Sequence, residues 1–456
     1  MLVRPRAASL AWLLWPLLGC KFQAPGLGSD SDAPVTLTGD TAADSSSSAP
    51  TTSSGTTAEP GSSSGGSESG TSGDPCADGC APAVDWTVEA DGAGYALVLD
   101  ATGNVFVAGD RTQDTDAQVR DVWVARFAAE DGEVAWENGY DGGVHRTDFA
   151  RALVLLGDGQ VVVGGASQED PDRRQDAWVG WFSPTTGEML YTSNLGTSHW
   201  NGDDAQLDES TWSLALDGNG ELIVGGTRCL VPCMVPDAWI GRFTSEGKTM
   251  WDDPMQSLGQ GSLFAVAPLD SGLLAIGTDG YPGAPSPWRS LIRSLDANGG
   301  GIWSATQEAP ADIDFESVAL AFAGDGGLWV VGRELASVTG PASGFVRLYR
   351  PGDGFTPEVE RRGPDLDGDV RAISLGPGGL VVVTGVAGAD AGRHLWVGAF
   401  DQALEPVWRI DEAADAATSG RGLAHTTRGD LVVLGLREPG DSRPASSWLR
   451  RYSAAS

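Results

Sequence analysis

Histidine and carboxylate side chains are the residues of this chain that could hold a metal ion or transfer protons. The four histidines, His145, His199, His394 and His425, lack the short mutual spacing of a metal-binding motif, so we predict no histidine-bound metal. One long segment between apolar runs nevertheless concentrates polar and aromatic side chains. It contains His199, Trp200, Asp203, Asp204 and Asp208. We predict that this segment and His145 contact a ligand, with an ordinary solvated loop as the alternative.

A second group of carboxylates has the alternate spacing with which one tight loop can surround a calcium ion. It consists of Asp365, Asp367 and Asp369. The bidentate glutamate that closes an EF-hand loop does not follow it. An acidic turn without metal is therefore the alternative to a calcium site, and we predict no other cofactor.

The cysteines after Cys20 form two close pairs, Cys76 with Cys80 and Cys229 with Cys233. An exported chain enters an oxidising compartment, where disulfides are expected. Three connectivities are open, and a zinc site with four thiolates is a further alternative. A bridge at Cys229 would stiffen the predicted ligand face.

The elements that must position these residues form a sevenfold internal repeat. Seven short apolar runs each follow a turn and end in a glycine, here called the closing glycine. The closing glycines are Gly109, Gly165, Gly226, Gly277, Gly332, Gly385 and Gly435, with 50 to 61 residues between neighbours. A segment that alternates aromatic or β-branched with polar residues follows each of them, as in Asp121–Phe127. One further run before the apolar run and one after the alternating segment bring the number of predicted strands to four per repeat.

Four antiparallel strands repeated seven times predict an all-β fold, a seven-bladed β-propeller whose blades cover one another's apolar faces. The seventh repeat ends at Tyr452 after its third strand, and Val84–Val88 precedes the first complete repeat as an unassigned strand. We predict that this N-terminal strand completes the last blade and closes the ring. Eleven tryptophans recur in the third and fourth strands, and we interpret them as packing units between blades.

The run Asp100–Gly109 and the later Trp-Val-x-x-Phe strand resemble the bacterial β-propeller repeats of the SBBP type. The resemblance spans the seven repeats and implies the fold more than an activity. The Gly-x-x-x-Trp run is similar, over a smaller part of the repeat, to the tryptophan-docking repeats of quinoprotein dehydrogenases. That likeness implies a quinone cofactor as an alternative.

The N-terminus carries an export signal. Arg4 and Arg6 precede an apolar stretch that is too short to span a bilayer and that ends in Leu17-Leu18-Gly19-Cys20. This ending resembles the lipobox of bacterial lipoproteins, which implies cleavage before Cys20 and a lipid on its thiol. Lys21 then implies delivery to the outer membrane. We predict a signal peptide over 1–19, a lipidated Ser/Thr/Gly-rich disordered tether over 20–82 and the propeller over 83–456.

The charge balance excludes one class of partner. The chain has 62 acidic and 29 basic residues, a net charge of -33, which repels nucleic acid. We therefore predict a monomeric cell-envelope module, anchored to the membrane by its lipid, that binds a protein or a glycan. An enzyme that acts on a carbohydrate, or one that uses a quinone, is the alternative.

Overall fold

The fold is described by a computed structural model. It describes residues 81–113, 116–143, 146–169, 175–195, 207–230, 236–254, 261–269, 272–280, 288–307, 313–335, 342–350, 356–362, 366, 368–388, 392–412, 417–438 and 444–454. Within these ranges the chain forms seven four-stranded antiparallel sheets, which confirms the predicted seven-bladed propeller. No helix in them is both long and apolar enough to cross a bilayer.

Each blade places its strands in chain order from the axis outwards. Blade 1 contains β2 (Ala93–Leu99), β3 (Val105–Gln113), β4 (Asp116–Phe127) and β5 (Val134–Tyr140). Blade 2 contains β6 (Phe149–Leu155), β7 (Val161–Ser167), β8 (Asp176–Phe182) and β9 (Met189–Asn194). Blade 3 contains β10 (Leu207–Leu216), β11 (Leu222–Leu230), β12 (Pro236–Phe243) and β13 (Thr249–Pro254). Blade 4 contains β14 (Gly261–Leu269), β15 (Gly272–Asp279), β16 (Arg289–Asp296) and β17 (Gly301–Gln307).

The remaining blades follow the same order. Blade 5 contains β18 (Asp314–Phe322), β19 (Leu328–Leu335), β20 (Ala342–Tyr349) and β21 (Pro357–Arg362). Blade 6 contains β22 (Asp369–Leu375), β23 (Val381–Ala387), β24 (His394–Phe400) and β25 (Pro406–Asp411), with a 3-10 turn over Pro377–Gly379. Blade 7 contains β26 (Thr418–His425), β27 (Leu431–Arg437) and β28 (Ser446–Tyr452), beside which lies β1 (Val84–Ala90).

The N-terminal strand β1 therefore occupies the outermost position of the last blade. It runs antiparallel to β28, with Val84 opposite Tyr452 and Ala90 opposite Ser447, and Ser453 N–H donates to the Ala83 carbonyl at 2.9 Å. Trp86 of β1 is buried against blade 1 and donates its Nε1–H to the Ala129 carbonyl at 3.1 Å. The two ends of the domain are thereby joined by main-chain hydrogen bonds.

The hydrophobic core is divided among the blades. The buried apolar residues form seven clusters, and each cluster combines side chains of two neighbouring blades. Between blades 1 and 2, for example, Phe106 and Trp136 pack with Val163 and Trp178. Because a single sheet cannot cover its own apolar faces, each blade is stabilised by both of its neighbours.

The propeller has two faces that differ in their loops. One face carries the connections from second to third strands and from each blade to the next, and we call it the connection face. The other carries the first-to-second and third-to-fourth turns, and we call it the hairpin face. Each first strand begins at the connection face.

Candidate functional site

Every first strand contains a β-bulge near its beginning. At the bulge the strand has one residue more than its partner strand, and the register shifts around that residue. The seven bulged residues are Tyr95, Arg151, Trp212, Phe264, Val318, Arg371 and Arg421. A β-bulge turns a side chain away from its regular direction, so the repeat places one re-aimed side chain per blade at the same level.

The closing glycines explain why the bulges form. Gly109 and Gly165 lie opposite the residues that precede the bulges of their blades. A Cβ atom on either glycine would lie 1.8 Å from a first-strand carbonyl oxygen, that of Ala93 or Phe149 respectively. Only glycine permits this close approach of two backbones.

The seven bulged side chains converge on one cavity in the central channel. The cavity has a volume of about 100 Å³, and it is also lined by Glu316, Arg333 and Val370. Since the bulges occur where the first strands begin, the cavity lies toward the connection face. We call it the channel site.

One side of the channel site is aromatic. The guanidinium carbon of Arg151 lies 3.8 Å from the centre of the Tyr95 ring and 6.0 Å from that of Trp212. Trp212 in turn makes an edge-to-face contact with Phe264 at 6.3 Å between ring centres. The cation–π contact holds the Arg151 side chain against its neighbours, and Asp110 accepts a hydrogen bond from its Nη1 at 3.0 Å.

The other side of the channel site is an ion network. Glu316 accepts a hydrogen bond from Arg333 Nε, and Arg371 Nε donates to Asp369 Oδ2 at 2.9 Å. Arg333 also lies 3.9 Å from Asp369 and so links the two pairs. Burial acts to raise the pKa of Asp369, but the charges of Arg371 and Arg333 outweigh it and hold the pKa below its ordinary value. Asp369 is therefore ionised.

Arg421 differs from these arginines because no carboxylate faces it directly. The residue is 7% exposed, and its Nε and Nη1 have no hydrogen-bond partner among the described residues. Its guanidinium carbon lies 5.4 Å from the centre of the Tyr95 ring. Burial, followed by repulsion from Arg371, lowers the pKa of Arg421 to about 9. The side chain is thus a buried cation at neutral pH, with two open donor positions.

Positive charge exceeds negative charge in this part of the channel. The described residues supply four guanidinium groups, on Arg151, Arg333, Arg371 and Arg421, against three carboxylates, on Asp110, Glu316 and Asp369. Arg120, which also reaches Asp110 at 3.5 Å, is half exposed and faces solvent. A chain with a net charge of -33 therefore carries a surplus cation at its centre.

Most of the residues predicted to contact a ligand lie outside the described residues. These are His145, His199, Trp200, Asp203 and Asp204. Asp208 is described, is partly buried and lies opposite Cys229 in the β10–β11 pair, near the connection face. Cys229 is disulfide-bonded. The other cysteines, Cys20, Cys76, Cys80 and Cys233, lie outside the described residues, so its partner is not identified by the described part of the chain.

The predicted calcium loop is described only in part, because Asp365 and Asp367 lie outside the described residues. Asp369 belongs to the channel network. Its Oδ1 accepts the Val386 N–H at 2.9 Å and its Oδ2 binds Arg371, so both oxygens already have protein donors.

Two further features are separate from the channel site. The carboxylates of Asp121, Asp141 and Asp148 lie within 4.8 Å of one another between blades 1 and 2, and both oxygens of Asp148 accept backbone N–H groups, those of Gly142 and Gln168. Among the described residues, we interpret these three carboxylates as structural residues that stabilise the connection from β5 to β6.

A larger cavity, of about 1020 Å³, opens on the hairpin face between blades 3 and 5. Its two charged lining residues compensate each other, because Arg242 pairs with Asp217. It carries no surplus charge among the residues that line it, in contrast to the channel site.

Sequence reasoning did not find the channel site, although a positional signal exists. Arg151, Arg371 and Arg421 each lie 14 residues before the closing glycine of their repeat, as do Tyr95, Trp212 and Val318. In blade 4 the distance from Phe264 to Gly277 is 13 residues. Aligning the seven repeats on their closing glycines places six of these residues in one column and Phe264 one position away.

The similarities of this chain to known proteins are distant. No protein-family model matches the chain, and no curated protein matches it. A crystal structure of the polysaccharide lyase Uly1 is similar at a TM-score of 0.49 and 11% identity, over 80% of this chain and 90% of that one. Chaetomium thermophilum Sqt1, bound to the N-terminus of ribosomal protein L10, is similar at a TM-score of 0.48 and 14% identity, over 82% and 100%.

A Penicillium chrysogenum alpha-L-arabinanase complexed with arabinobiose has a TM-score of 0.44 and 12% identity, over 65% of this chain and 91% of that one. At these values the three neighbours say nothing about the ligand of this chain.

Proposed function

We propose that the protein is a binding module of the bacterial cell envelope, tethered to the outer membrane through a lipid on Cys20, and that its ligand is a saccharide held in the channel site. The signal-like residues 1–19, the Cys20 that follows them and the Ser/Thr/Gly-rich segment support the tether. The single observation that carries the binding site is the convergence of seven bulged side chains on one cavity.

The lining of the cavity favours a saccharide over a protein surface. A cavity of about 100 Å³ admits one end of a narrow ligand, whereas a protein partner would need an extended face. The rings of Trp212 and Phe264 offer flat surfaces for the C–H faces of a sugar. The Nε1–H of Trp212 has no partner among the described residues and can donate to a sugar hydroxyl.

Catalysis at the channel site would depend on one carboxylate among the described lining residues. Both oxygens of Asp369 accept protein hydrogen bonds, whereas Glu316 is bound by Arg333 through Oε2 only, its Oε1 has no partner among the described residues, and burial raises its pKa. A single carboxylic acid beside several arginines favours binding over glycoside hydrolysis, which uses a pair of carboxyl groups. Turnover of a bound saccharide by the full chain would favour the alternative, a carbohydrate-active enzyme.

The test uses the full chain, extracted from the membrane fraction in detergent. We expect selective binding to a panel of neutral and acidic oligosaccharides. Trp212→Ala should weaken that binding at least tenfold, because it removes a cavity wall and a donor. Trp251→Ala is the matched control, since Trp251 belongs to the outer strand of the same blade and donates to the Ala297 carbonyl.

Equal loss in both variants, or no loss in Trp212→Ala, would show that the saccharide does not occupy the channel site. Recovery of the wild-type chain from the soluble fraction alone would contradict the tether.

A further inference from the structure

The strongest unexplained feature of the channel site is the unpaired cation Arg421. A buried guanidinium is normally bound by a carboxylate or by several carbonyl groups, because leaving its donors unsatisfied costs free energy. Here Nε and Nη1 of Arg421 are both buried without a partner among the described residues, and Nη1 of the neighbouring Arg371 is too. Three donors on two adjacent arginines are therefore available to one acceptor group.

Resting on the saccharide site proposed above, we propose that the channel site binds the carboxylate of an acidic saccharide, a uronate, and that Arg421 and Arg371 hold this carboxylate. A carboxylate has two oxygens with about four acceptor positions, which matches donors that come from two guanidinium groups. A bound carboxylate would also reduce the repulsion between the positive charges of Arg421 and Arg371.

Size favours a carboxylate over a phosphate. The described residues around the cavity leave at least one positive charge in excess, since burial raises the pKa of Glu316, and charge alone admits either anion. A cavity of about 100 Å³ accommodates a carboxylate and its adjoining carbon at the level of the arginines. The rest of the sugar then extends along the aromatic side.

Arg421 also contacts the aromatic side directly. Tyr95 lies beneath its guanidinium group at 5.4 Å and beneath that of Arg151 at 3.8 Å. A sugar whose carboxylate reaches Arg421 would therefore place its ring beside Tyr95 and Trp212. The anionic and apolar parts of one uronate residue match the two sides of the site.

The experiment titrates the detergent-solubilised full chain with D-glucuronate and with D-glucose by calorimetry. These sugars differ at one carbon, which carries a carboxylate in the first and a hydroxyl in the second. We expect D-glucuronate to bind at least tenfold more tightly. Arg421→Gln and Arg371→Gln should each lower the ratio of D-glucuronate affinity to D-glucose affinity at least tenfold. Arg428→Gln, an exposed arginine at the hairpin face of blade 7, is the matched control and should bind both sugars as the wild type does.

A second readout needs no substitution. The charged and titratable groups that act on Arg421 are Arg371 and Asp369 of blade 6, Tyr95 of blade 1 and Glu438 of blade 7. D-glucuronate stays ionised at alkaline pH while Arg421 loses its proton. Its affinity should therefore fall above about pH 9, by up to tenfold per pH unit for one linked proton. D-glucose affinity should not follow this course.

Each other outcome is decisive. Equal affinity for the two sugars, or an unchanged D-glucuronate affinity in Arg421→Gln, would overturn the carboxylate assignment and leave the saccharide site standing. Tighter binding of D-glucose 6-phosphate than of D-glucuronate would overturn it as well. If neither D-glucuronate nor D-glucose binds, the proposed saccharide site itself is wrong.

Discussion

Replacing Arg421 by methionine should stabilise the ligand-free protein while it removes carboxylate binding. Methionine is flexible, has a similar length and carries no charge, so it can fill the space of the arginine stem without burying a cation. In the native protein Arg421 is buried, with 7% of the residue exposed, and Arg371 repels its charge. A group kept for binding at a cost in stability is the trade-off expected at functional sites.

The magnitude follows from the pKa of Arg421, which falls from 12.5 to about 9. At about 1.4 kcal/mol for each pKa unit, burial of this charge costs roughly 5 kcal/mol. Methionine loses the cation–π contact with Tyr95, worth about 1 kcal/mol, and does not fill the site perfectly. Replacing buried charged groups by hydrophobic residues is often neutral or stabilising by about 1–4 kcal/mol, and for the uncompensated Arg421 we expect a net gain of about 1–3 kcal/mol.

Differential scanning calorimetry of the full chain measures the effect. The apparent Tm of Arg421→Met should rise by about 2–6 °C, at roughly 2 °C per kcal/mol for a large domain. The pH dependence gives an independent check. Between pH 9 and the ordinary pKa of arginine the unfolded chain binds a proton at this site that the folded chain does not, so wild-type stability should rise with pH there. Arg421→Met should lack that rise.

A lower Tm for Arg421→Met at neutral pH would refute this reasoning. It would mean that Arg421 is compensated within the protein, and the case for an external carboxylate would lose its basis.

Two further predictions concern the bulges and a buried histidine. Gly165→Ala should lower the free energy of unfolding by about 3 kcal/mol or more, because its Cβ would lie 1.8 Å from the Phe149 carbonyl oxygen. The control is Gly157→Ala, whose Cβ meets nothing within 4 Å and which should change the free energy of unfolding by less than about 0.5 kcal/mol. Urea denaturation measures both. Burial lowers the pKa of His425 to about 4, so wild-type stability should fall as the pH drops from about 6.5 toward 4. His425→Leu should abolish that part of the acid response, measured as urea midpoints at pH 7 and pH 4.5; an unchanged response would show that His425 does not cause it.

The fold could be predicted from the sequence because its signals repeat. The closing glycines, the alternating third strands and the tryptophans each recur at one place in every repeat, and the requirement that blades cover one another turns this recurrence into a ring. The bulges were not predicted, since a bulge interrupts the strand alternation from which a side chain's direction is inferred.

The channel site could not be predicted by residue type. Its column contains tyrosine, arginine, tryptophan, phenylalanine and valine, a mixture that resembles no motif. Carboxylates that cluster along the chain predicted a site in a long acidic connection instead. Asp369 shows why clustering in sequence is not sufficient. Its neighbours in sequence suggested calcium, whereas its partners include Arg333, which lies 36 positions away and meets it only across two blades.

The position of β1 fixes the side from which any membrane attachment pulls. As the outermost strand of its blade, β1 begins at the hairpin face, beside Tyr452, and runs toward the connection face. The chain therefore enters β1 on the side opposite the channel site. If the proposed lipid anchor is present, tension on it would load the β1–β28 hydrogen bonds rather than the first strands that line the channel site.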